Sequence, residues 1–277
     1  MATPSQPDLP QAPQTEEEGS GKMSLFEHLA DLRKRLVYSA AAVAIGFVIG
    51  FSVSKKVIVF IVQPMVDALR SAHYQDKLIY TSPAGFVNLL ITLGFYLGIV
   101  IALPVVLYQI WLFVAPGLYK HERRAVVSFI VSSIFLFLSG IAFGYFILLP
   151  YVLKFLISFQ GPFQPLISIN EYFDLILVVL LGLGIIFQLP VLIFVLSVFG
   201  IVTPQWLWKN LRYAILIITI VAAIVTPTPD ATTMLVFMAP MLGLYFVGIA
   251  VSYVVFRKKK RRERKQDGAI TREETIE

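Results

Sequence analysis

Six long stretches of this chain contain no charged residue, and they constrain its fold more than any other feature of the sequence. The hydrocarbon core of a bilayer is about 30 Å thick, and a helix needs about 20 apolar residues to cross it. Each stretch can therefore hold one membrane span, which predicts an all-α, polytopic integral membrane protein with six transmembrane helices. The stretches are 36–54, 78–119, 125–153, 175–208, 213–229 and 231–256.

The longest and the shortest of these stretches differ in length from one ordinary membrane span. The longest, 78–119, begins with Thr-Ser-Pro near residue 81 and ends near Pro116-Gly117, and both sequences are typical of loops. We therefore predict one long helix near residues 85–113. The shortest, 213–229, would rise only about 26 Å as a helix, which predicts local thinning of the bilayer around spans five and six.

Composition agrees with a membrane protein and excludes several kinds of chemistry. The chain is 57% hydrophobic and only 14% charged, whereas soluble domains are about 25% charged. It has no cysteine and only three scattered histidines, so we expect neither a metal site nor a cofactor. No Gly-rich nucleotide-binding loop or nucleophile elbow is present, so we do not expect an enzyme.

The positions of Lys and Arg predict the orientation. With a cytosolic N-terminus, 18 of them would lie inside and only five outside, which favours N-in, C-in topology. The net charge of +6 is then explained by contact with anionic lipid headgroups, and we expect no nucleic-acid partner. We divide the chain into a disordered cytosolic tail (1–22), a membrane domain (23–257) and a cytosolic tail that is basic and then polar (258–277).

Two segments on the outer side, 54–84 and 150–173, are long enough to form an extracytoplasmic cap. The part from Val57 to Leu69 is apolar but too short to span, so we predict a separate helix at the outer interface, broken at Pro64. Further prolines in spans two, four and six predict a kinked, concave bundle. They are Pro104, Pro190 and Pro240.

Three Gly-x-x-x-Gly pairs favour close helix approach, although each alone is weak evidence. They are Gly46 with Gly50, Gly94 with Gly98, and Gly140 with Gly144.

Two carboxylates at the cytosolic face are the candidate binding groups. Asp31 lies in an amphipathic stretch before span one, and it either neutralises Arg33 or Arg35 or accepts a guanidinium from a partner. Glu122 lies among basic residues between spans two and three, where a local salt bridge would contribute only about 0–1 kcal/mol. Physical reasoning about the residues alone leaves both interpretations open.

Two motifs carry a resemblance to a known family. His28 to Leu36 reads His-Leu-Ala-Asp-Leu-Arg-Lys-Arg-Leu, and Tyr108 to Arg124 contains Trp-Leu-Phe-Val-Ala-Pro-Gly-Leu-Tyr. Together they resemble the signature of the TatC family. Pro64, the sequence Phe-Gln-Leu-Pro from Phe187, and Thr-Pro-Thr-Pro-Asp ending at Asp230 match as well. The resemblance covers about residues 23–257.

The resemblance implies a receptor for the twin-arginine signal peptides of folded cargo. It also implies a scaffold for single-span partner subunits of the TatA/TatB type, in a multimeric complex in the inner (plasma) membrane that uses the proton motive force. Asp31 and Glu122 would then accept the consecutive arginines of the signal peptide. The residues expected to shape the patch around them are Arg33, Arg35, Phe113, Pro116, Leu118, Tyr119, Arg123 and Arg124.

Two further polar residues have predicted roles. Gln188 stands where relatives often have Glu; we assign it to contact with a partner helix, with a bond inside the same chain as the alternative. Asp230 is predicted to cap the N-terminus of span six.

Two other functional classes stay open. One is a secondary transporter for a small solute, which would have charged residues or broken helices at the midplane of the membrane. The other is a structural scaffold without signal recognition.

Overall fold

The computed structural model describes residues 25–75, 77–114, 123–158, 166–226 and 230–274. Within these ranges the protein is helical, with a single isolated backbone bridge and no strand. The all-α prediction is therefore confirmed. The helices are α1 (Leu25–Ser71), α2 (Gly85–Val114), α3 (Arg123–Phe143), α4 (Leu149–Ser158), α5 (Ile169–Ile186), α6 (Leu189–Val198), α7 (Pro204–Lys209), α8 (Leu211–Val225) and α9 (Ala231–Glu274). A π-helical turn, Gly144–Leu148, joins α3 to α4.

Five helical segments among the described residues are long and apolar enough to cross a membrane. They are Leu29–Ser71, Gly85–Phe113, Phe129–Ser158, Ile169–Val198 and Ala231–Lys258. The segment predicted as span five forms the shorter apolar helix α8, whose 15 residues rise about 22 Å. A length below the bilayer core agrees with the expectation from sequence, and a sixth full crossing stays a prediction.

The half of α1 that ends at Ser71, here called the outer half after the orientation predicted from sequence, corrects the prediction of a separate helix broken at Pro64. The helix runs without interruption from Leu25 to Ser71 and contains Pro64. Proline lacks an N–H group and so deprives the Phe60 carbonyl, four residues earlier, of its helical partner. The hydroxyl of Tyr145 donates to that carbonyl oxygen at 2.6 Å, and its ring stacks on Phe60 at 4.5 Å between centroids. A hydrogen bond from a distant helix therefore replaces the one that proline removes.

Pro190 has the opposite effect on the fourth span. Helix α5 ends at Ile186 and α6 begins at Leu189, so the span is interrupted at Phe187 and Gln188. Pro190 lies in the first turn of α6, where the missing N–H would have no helical partner in any case. Pro104 and Pro240 remain inside α2 and α9.

The glycine pairs of α1 and α2 pack against each other. A Cβ on Gly50 would lie 2.6 Å from the Gly94 carbonyl oxygen, and a Cβ on Gly98 would lie 2.6 Å from the Phe47 nitrogen. Gly46 likewise meets the Gly98 carbonyl directly. The backbones of two antiparallel helices therefore touch, which confirms the predicted close approach.

Two apolar clusters hold the rest of the bundle together, and α5 contributes to both. One packs the outer half of α1 against α2, α4 and α5 around Leu69, Leu93 and Phe173. The other packs α5, α6, α8 and α9 around Leu183 and Phe237. The two segments predicted to form a cap are joined by backbone hydrogen bonds of 3.0 Å, from Ile79 to Ile167 and from Ile169 to Ile79.

Candidate functional site

Asp31 lies in the second turn of α1, one helical turn before Arg35. The Arg35 Nε donates to Asp31 Oδ2 at 2.7 Å. The side chain of Arg35 is 18% exposed and that of Asp31 is 22% exposed. Four-residue spacing puts both on one helix face, which explains the pair. Arg35 therefore neutralises Asp31, as one of the two interpretations from sequence expected. Arg33 is exposed, and no described residue hydrogen-bonds to Asp31 Oδ1.

The second predicted acceptor, Glu122, lies outside the described residues, as do Pro116, Leu118 and Tyr119. For Arg123 and Arg124 the structure describes only the backbone, at the start of α3. The approach of Glu122 to Asp31 therefore stays a prediction.

The register of α1 against α2 places Phe113 at the level of Asp31. The two helices are antiparallel and meet at Gly46 and Gly98. Asp31 precedes Gly46 by 15 residues, and Phe113 follows Gly98 by 15 residues. Equal helical rises place Asp31 and Phe113 at the same level of the helix pair. Helix α2 ends one residue later, so the segment that carries Glu122 starts at this level.

A groove between α1 and α2, here called the α1–α2 groove, begins two turns along α1 from Asp31. It has a volume of about 480 Å³ and runs from Tyr38 to Ile49 on the α1 side. The α1 wall of the groove contains small apolar residues, among them Ala41 and Ala42. Gln109 lies at the same end of the groove as Tyr38. Sequence reasoning missed this groove, although the three consecutive alanines from residue 40 were a signal for it.

Aromatic side chains fix the end of α2 to its neighbours. Trp111 is buried and its ring lies 3.7 Å from that of Phe129 on α3, which in turn lies 5.3 Å from Phe194 on α6. Sequence reasoning placed Trp111 in the motif but did not find its two partners. These contacts fix the end of α2 against α3 and α6, and the segment that carries Glu122 starts from this end.

Gln188 lies at the interruption between α5 and α6. Its Nε2 donates to the Ser133 carbonyl oxygen of α3 at 2.9 Å, so the bond within the same chain, considered from sequence as an alternative, is present. Its Oε1 and the Ser133 hydroxyl are buried and have no hydrogen-bond partner among the described residues. A secondary transporter would also interrupt a span, but here Phe187, Gln188 and Leu189 carry no charge at the interruption.

Asp230 caps α9, as predicted. Its Oδ2 accepts a 2.7 Å hydrogen bond from the Thr233 backbone N–H, which satisfies one of the free donors of the first helical turn. In the described part of the chain, no three or more His, Asp or Glu side chains gather into a group that could hold a metal ion.

Long apolar helices, with a charged pair at the start of the first one, define the class of the protein as a polytopic helical integral membrane protein. The family model described as Sec-independent protein translocase protein (TatC) matches residues 27–240. The chain therefore belongs to the TatC family, whose members function in protein transport.

Curated relatives and solved structures agree with this assignment. TatC of Koribacter versatilis (strain Ellin345) is 44% identical over 89% of this chain and 91% of its own length. TatCy of Bacillus subtilis (strain 168) is 39% identical over 87% of this chain and 92% of its own length. A crystal structure described as the twin arginine translocase receptor TatC superposes with a TM-score of 0.73 at 36% identity, covering 83% of this chain and all of the other.

Proposed function

We propose that this protein is the receptor and core scaffold subunit of the twin-arginine translocase. It binds the twin-arginine signal peptides of folded cargo at the cytosolic face and assembles single-span subunits of the TatA/TatB type, using the proton motive force. The observation that carries the proposal is Asp31, a part-buried carboxylate at the start of the first helix of a TatC family member, with one oxygen free of described partners.

Asp31 can accept a peptide arginine without losing its partner in α1. Arg35 occupies only Oδ2, and it orients the carboxylate so that Oδ1 is available to a guanidinium. A hydrogen bond to a charged group contributes about 1.5–3 kcal/mol, and arginine presents several donors in a fixed geometry. Lysine lacks that geometry, which favours Arg-Arg over Lys-Lys peptides.

Glu122 is the proposed acceptor for the second arginine. Helix α2 ends at the level of Asp31, so the following segment has only eight residues in which to bring Glu122 to the same surface. The residues proposed to shape the patch are Arg33, Arg35, Phe113, Pro116, Leu118, Tyr119, Arg123 and Arg124. The four arginines among them repel additional cations that cannot pair with the two carboxylates.

The α1–α2 groove is the proposed site for the apolar part of the signal peptide. Signal peptides continue from a charged start into 7–15 apolar residues, which as a helix measure about 10–22 Å. From Tyr38 to Ile49 the α1 wall of the groove rises about 16 Å, which matches this length. The alanines of the wall allow a helical backbone to approach closely.

Gln188 is the proposed contact for a partner helix. Gln188 is partly exposed, so a single-span subunit can pack against it, and its Oε1 has no hydrogen-bond partner among the described residues. An unpaired buried group costs about 1–3 kcal/mol, so partner binding gains from pairing it. The proposed setting is a multimeric complex in the plasma membrane, with both termini cytosolic, in line with the distribution of Lys and Arg.

Peptide binding to the detergent-solubilised protein tests the proposal. We expect an Arg-Arg peptide to bind more tightly than its Lys-Lys counterpart, by about tenfold or more, because each lost charged hydrogen bond has that effect. Asp31→Ala and Glu122→Ala should each remove the preference. Asp174→Ala, which removes an exposed acid elsewhere, is the matched control and should bind as the unaltered protein does. Equal binding of both peptides, or a preference that survives both substitutions, would leave only a scaffold role.

A further inference from the structure

A second hollow lies at the other end of α1, between that helix, the π-helical turn and α4. Its volume is about 420 Å³, and we call it the α1–α4 hollow. Phe60 and Tyr145 form part of its wall and are themselves held by the hydrogen bond and ring stacking at Pro64. The wall is therefore a fixed part of the fold. No part of the proposed signal-peptide site contributes to it.

Both walls of the hollow change from aromatic to charged in the same direction. On α1, Asp67 follows Phe60 by seven residues, and on the other wall Lys154 follows Phe146 by eight. These spacings correspond to about 10 and 12 Å along the helices. One span, α2, lies between the two walls in sequence, so both walls run the same way through the bilayer. The hollow thus has an aromatic end and a charged end.

The charged end carries one anion and one cation that do not pair with each other. Asp67 Oδ1 accepts a 3.0 Å hydrogen bond from Gln63 Nε2, and Asp67 and Lys154 form no ion pair. Lys154 has no hydrogen bond or ion pair with any described residue. A ligand with a single charge would compensate only one of the two residues. A ligand that carries both a cation and an anion would compensate both.

The hollow also lies at the depth where lipid headgroups are found. The candidate span of α1 runs from Leu29 to Ser71, so Phe60 and Asp67 lie in its last third, towards one membrane interface. Phe146 is 66% exposed and points its ring outward at the aromatic end, where an acyl chain can cover it. The depth of the hollow, its apolar wall and its separate anion and cation all fit one class of ligand.

We propose that the α1–α4 hollow binds a phospholipid with a phosphoethanolamine headgroup. The lipid phosphate pairs with the Lys154 ammonium, the lipid amine donates to the Asp67 carboxylate, and one acyl chain packs along Phe60 and Phe146. Phosphatidylglycerol lacks the cation for Asp67. Phosphatidylcholine has a cation, but its quaternary nitrogen has no proton to donate. The site therefore discriminates by headgroup and is independent of the proposed receptor function.

Native mass spectrometry of the full chain in detergent, titrated with each of the three phospholipids, tests this site. We expect phosphatidylethanolamine to be retained about tenfold more strongly than the other two, because all three phosphates can pair with Lys154 but only its amine can donate a charge-assisted hydrogen bond to Asp67. Lys154→Gln should weaken its binding about tenfold, and Asp67→Asn should abolish its advantage over phosphatidylglycerol. The matched controls, Lys77→Gln and Asp174→Asn, alter exposed charges outside the hollow and should leave the preference intact.

The aromatic end has its own test. Phe146→Ala should weaken retention of phosphatidylethanolamine several-fold, whereas Phe135→Ala, at a residue of similar exposure (68% against 66%) outside the hollow, should not. Both side chains are exposed, so neither substitution should prevent folding, and a circular dichroism melt checks this. Equal retention of the three lipids, or a preference that both charge variants preserve, would overturn the proposal. Equal binding of phosphatidylglycerol and phosphatidylethanolamine would identify a simple anion site and overturn the headgroup assignment.

Discussion

The two halves of α1 belong to one continuous helix but meet very different surroundings. In the half that begins at Leu25, here called the inner half, Leu29, Leu36 and Val37 are each more than half exposed. In the outer half, Ala68 and Leu69 are almost completely buried, and hydroxyl groups from two other helices donate to the backbone. The inner half therefore keeps its side chains free for binding, while the outer half fastens the helix to the bundle. One helix serves both purposes because the glycine contact with α2 lies between the two halves.

The largest effect is expected where the two halves meet. Gly98→Ala places a Cβ 2.6 Å from the Phe47 nitrogen, so α1 and α2 must move apart. Overpacking of this kind costs about 1–3 kcal/mol, and we expect the upper end because the clash is with backbone. Unfolding in detergent with a denaturant measures the loss. Gly243→Ala is the control, because nothing lies within 4 Å of its added Cβ. Equal stability of the two variants would contradict the tight contact.

A smaller effect is expected in the outer half. Tyr145→Phe leaves the part-buried Phe60 carbonyl without a partner, and an acceptor left unpaired away from water costs about 1–3 kcal/mol. Pro64→Ala restores an N–H group to the helix, so Tyr145→Phe should cost less in that background. A double-mutant cycle on the free energy of unfolding measures the difference. Tyr151→Phe, at a half-exposed tyrosine, is the control. Additive losses would show that the hydroxyl does not replace the missing N–H.

In the inner half, substitutions should affect binding more than stability. Ala41→Trp fills the α1–α2 groove from an exposed position and should weaken binding of an Arg-Arg signal peptide about tenfold, equivalent to about 1.4 kcal/mol. Ala40→Trp, at the adjacent exposed alanine outside the groove, serves as the control. Fluorescence anisotropy of a labelled peptide measures both. Equal binding by the two variants would exclude the groove from the peptide site.

The smallest effect is expected for the ion pair itself. Arg35→Gln breaks its contact with Asp31, and a pair this close to the surface contributes about 0–1 kcal/mol. We therefore expect almost unchanged stability in a thermal melt but weaker peptide binding, because Asp31 is no longer oriented. Lys34→Gln removes a neighbouring exposed charge and is the control. A loss of stability as large as that of Tyr145→Phe would mean that the inner half is fastened as firmly as the outer half.

Several features were accessible from sequence because they depend on neighbouring residues. The helix at 85–113 was predicted from turn residues at both ends, and Gly85–Val114 is helical. The cap at Asp230 depends on a residue just before a helix, and its bond to Thr233 spans three positions. Gly46 and Gly98 were identified as contact residues without their partners. Of the proposed site, the sequence identified Asp31, but the orientation of its carboxylate by Arg35 needed coordinates.

The error at Pro64 has a clear physical origin. Proline removes a hydrogen bond locally, and local reasoning therefore ends the helix there. The replacement donor, Tyr145, is 85 residues away from Phe60 in the chain, and nothing in the neighbourhood of Pro64 reveals it. The same limit applies to Gln188, whose acceptor on Ser133 lies 55 residues earlier.

By itself the sequence determined the helical class, the long apolar segments and the family of this protein, since apolar length, turn residues and motif order are properties of the chain. Only the tertiary structure decided which glycines touch, why α1 continues through Pro64, and where the α1–α2 groove and the α1–α4 hollow lie. The physical reason is that these features depend on the register between distant helices. A helical period specifies which face a residue occupies, and packing specifies what that face meets.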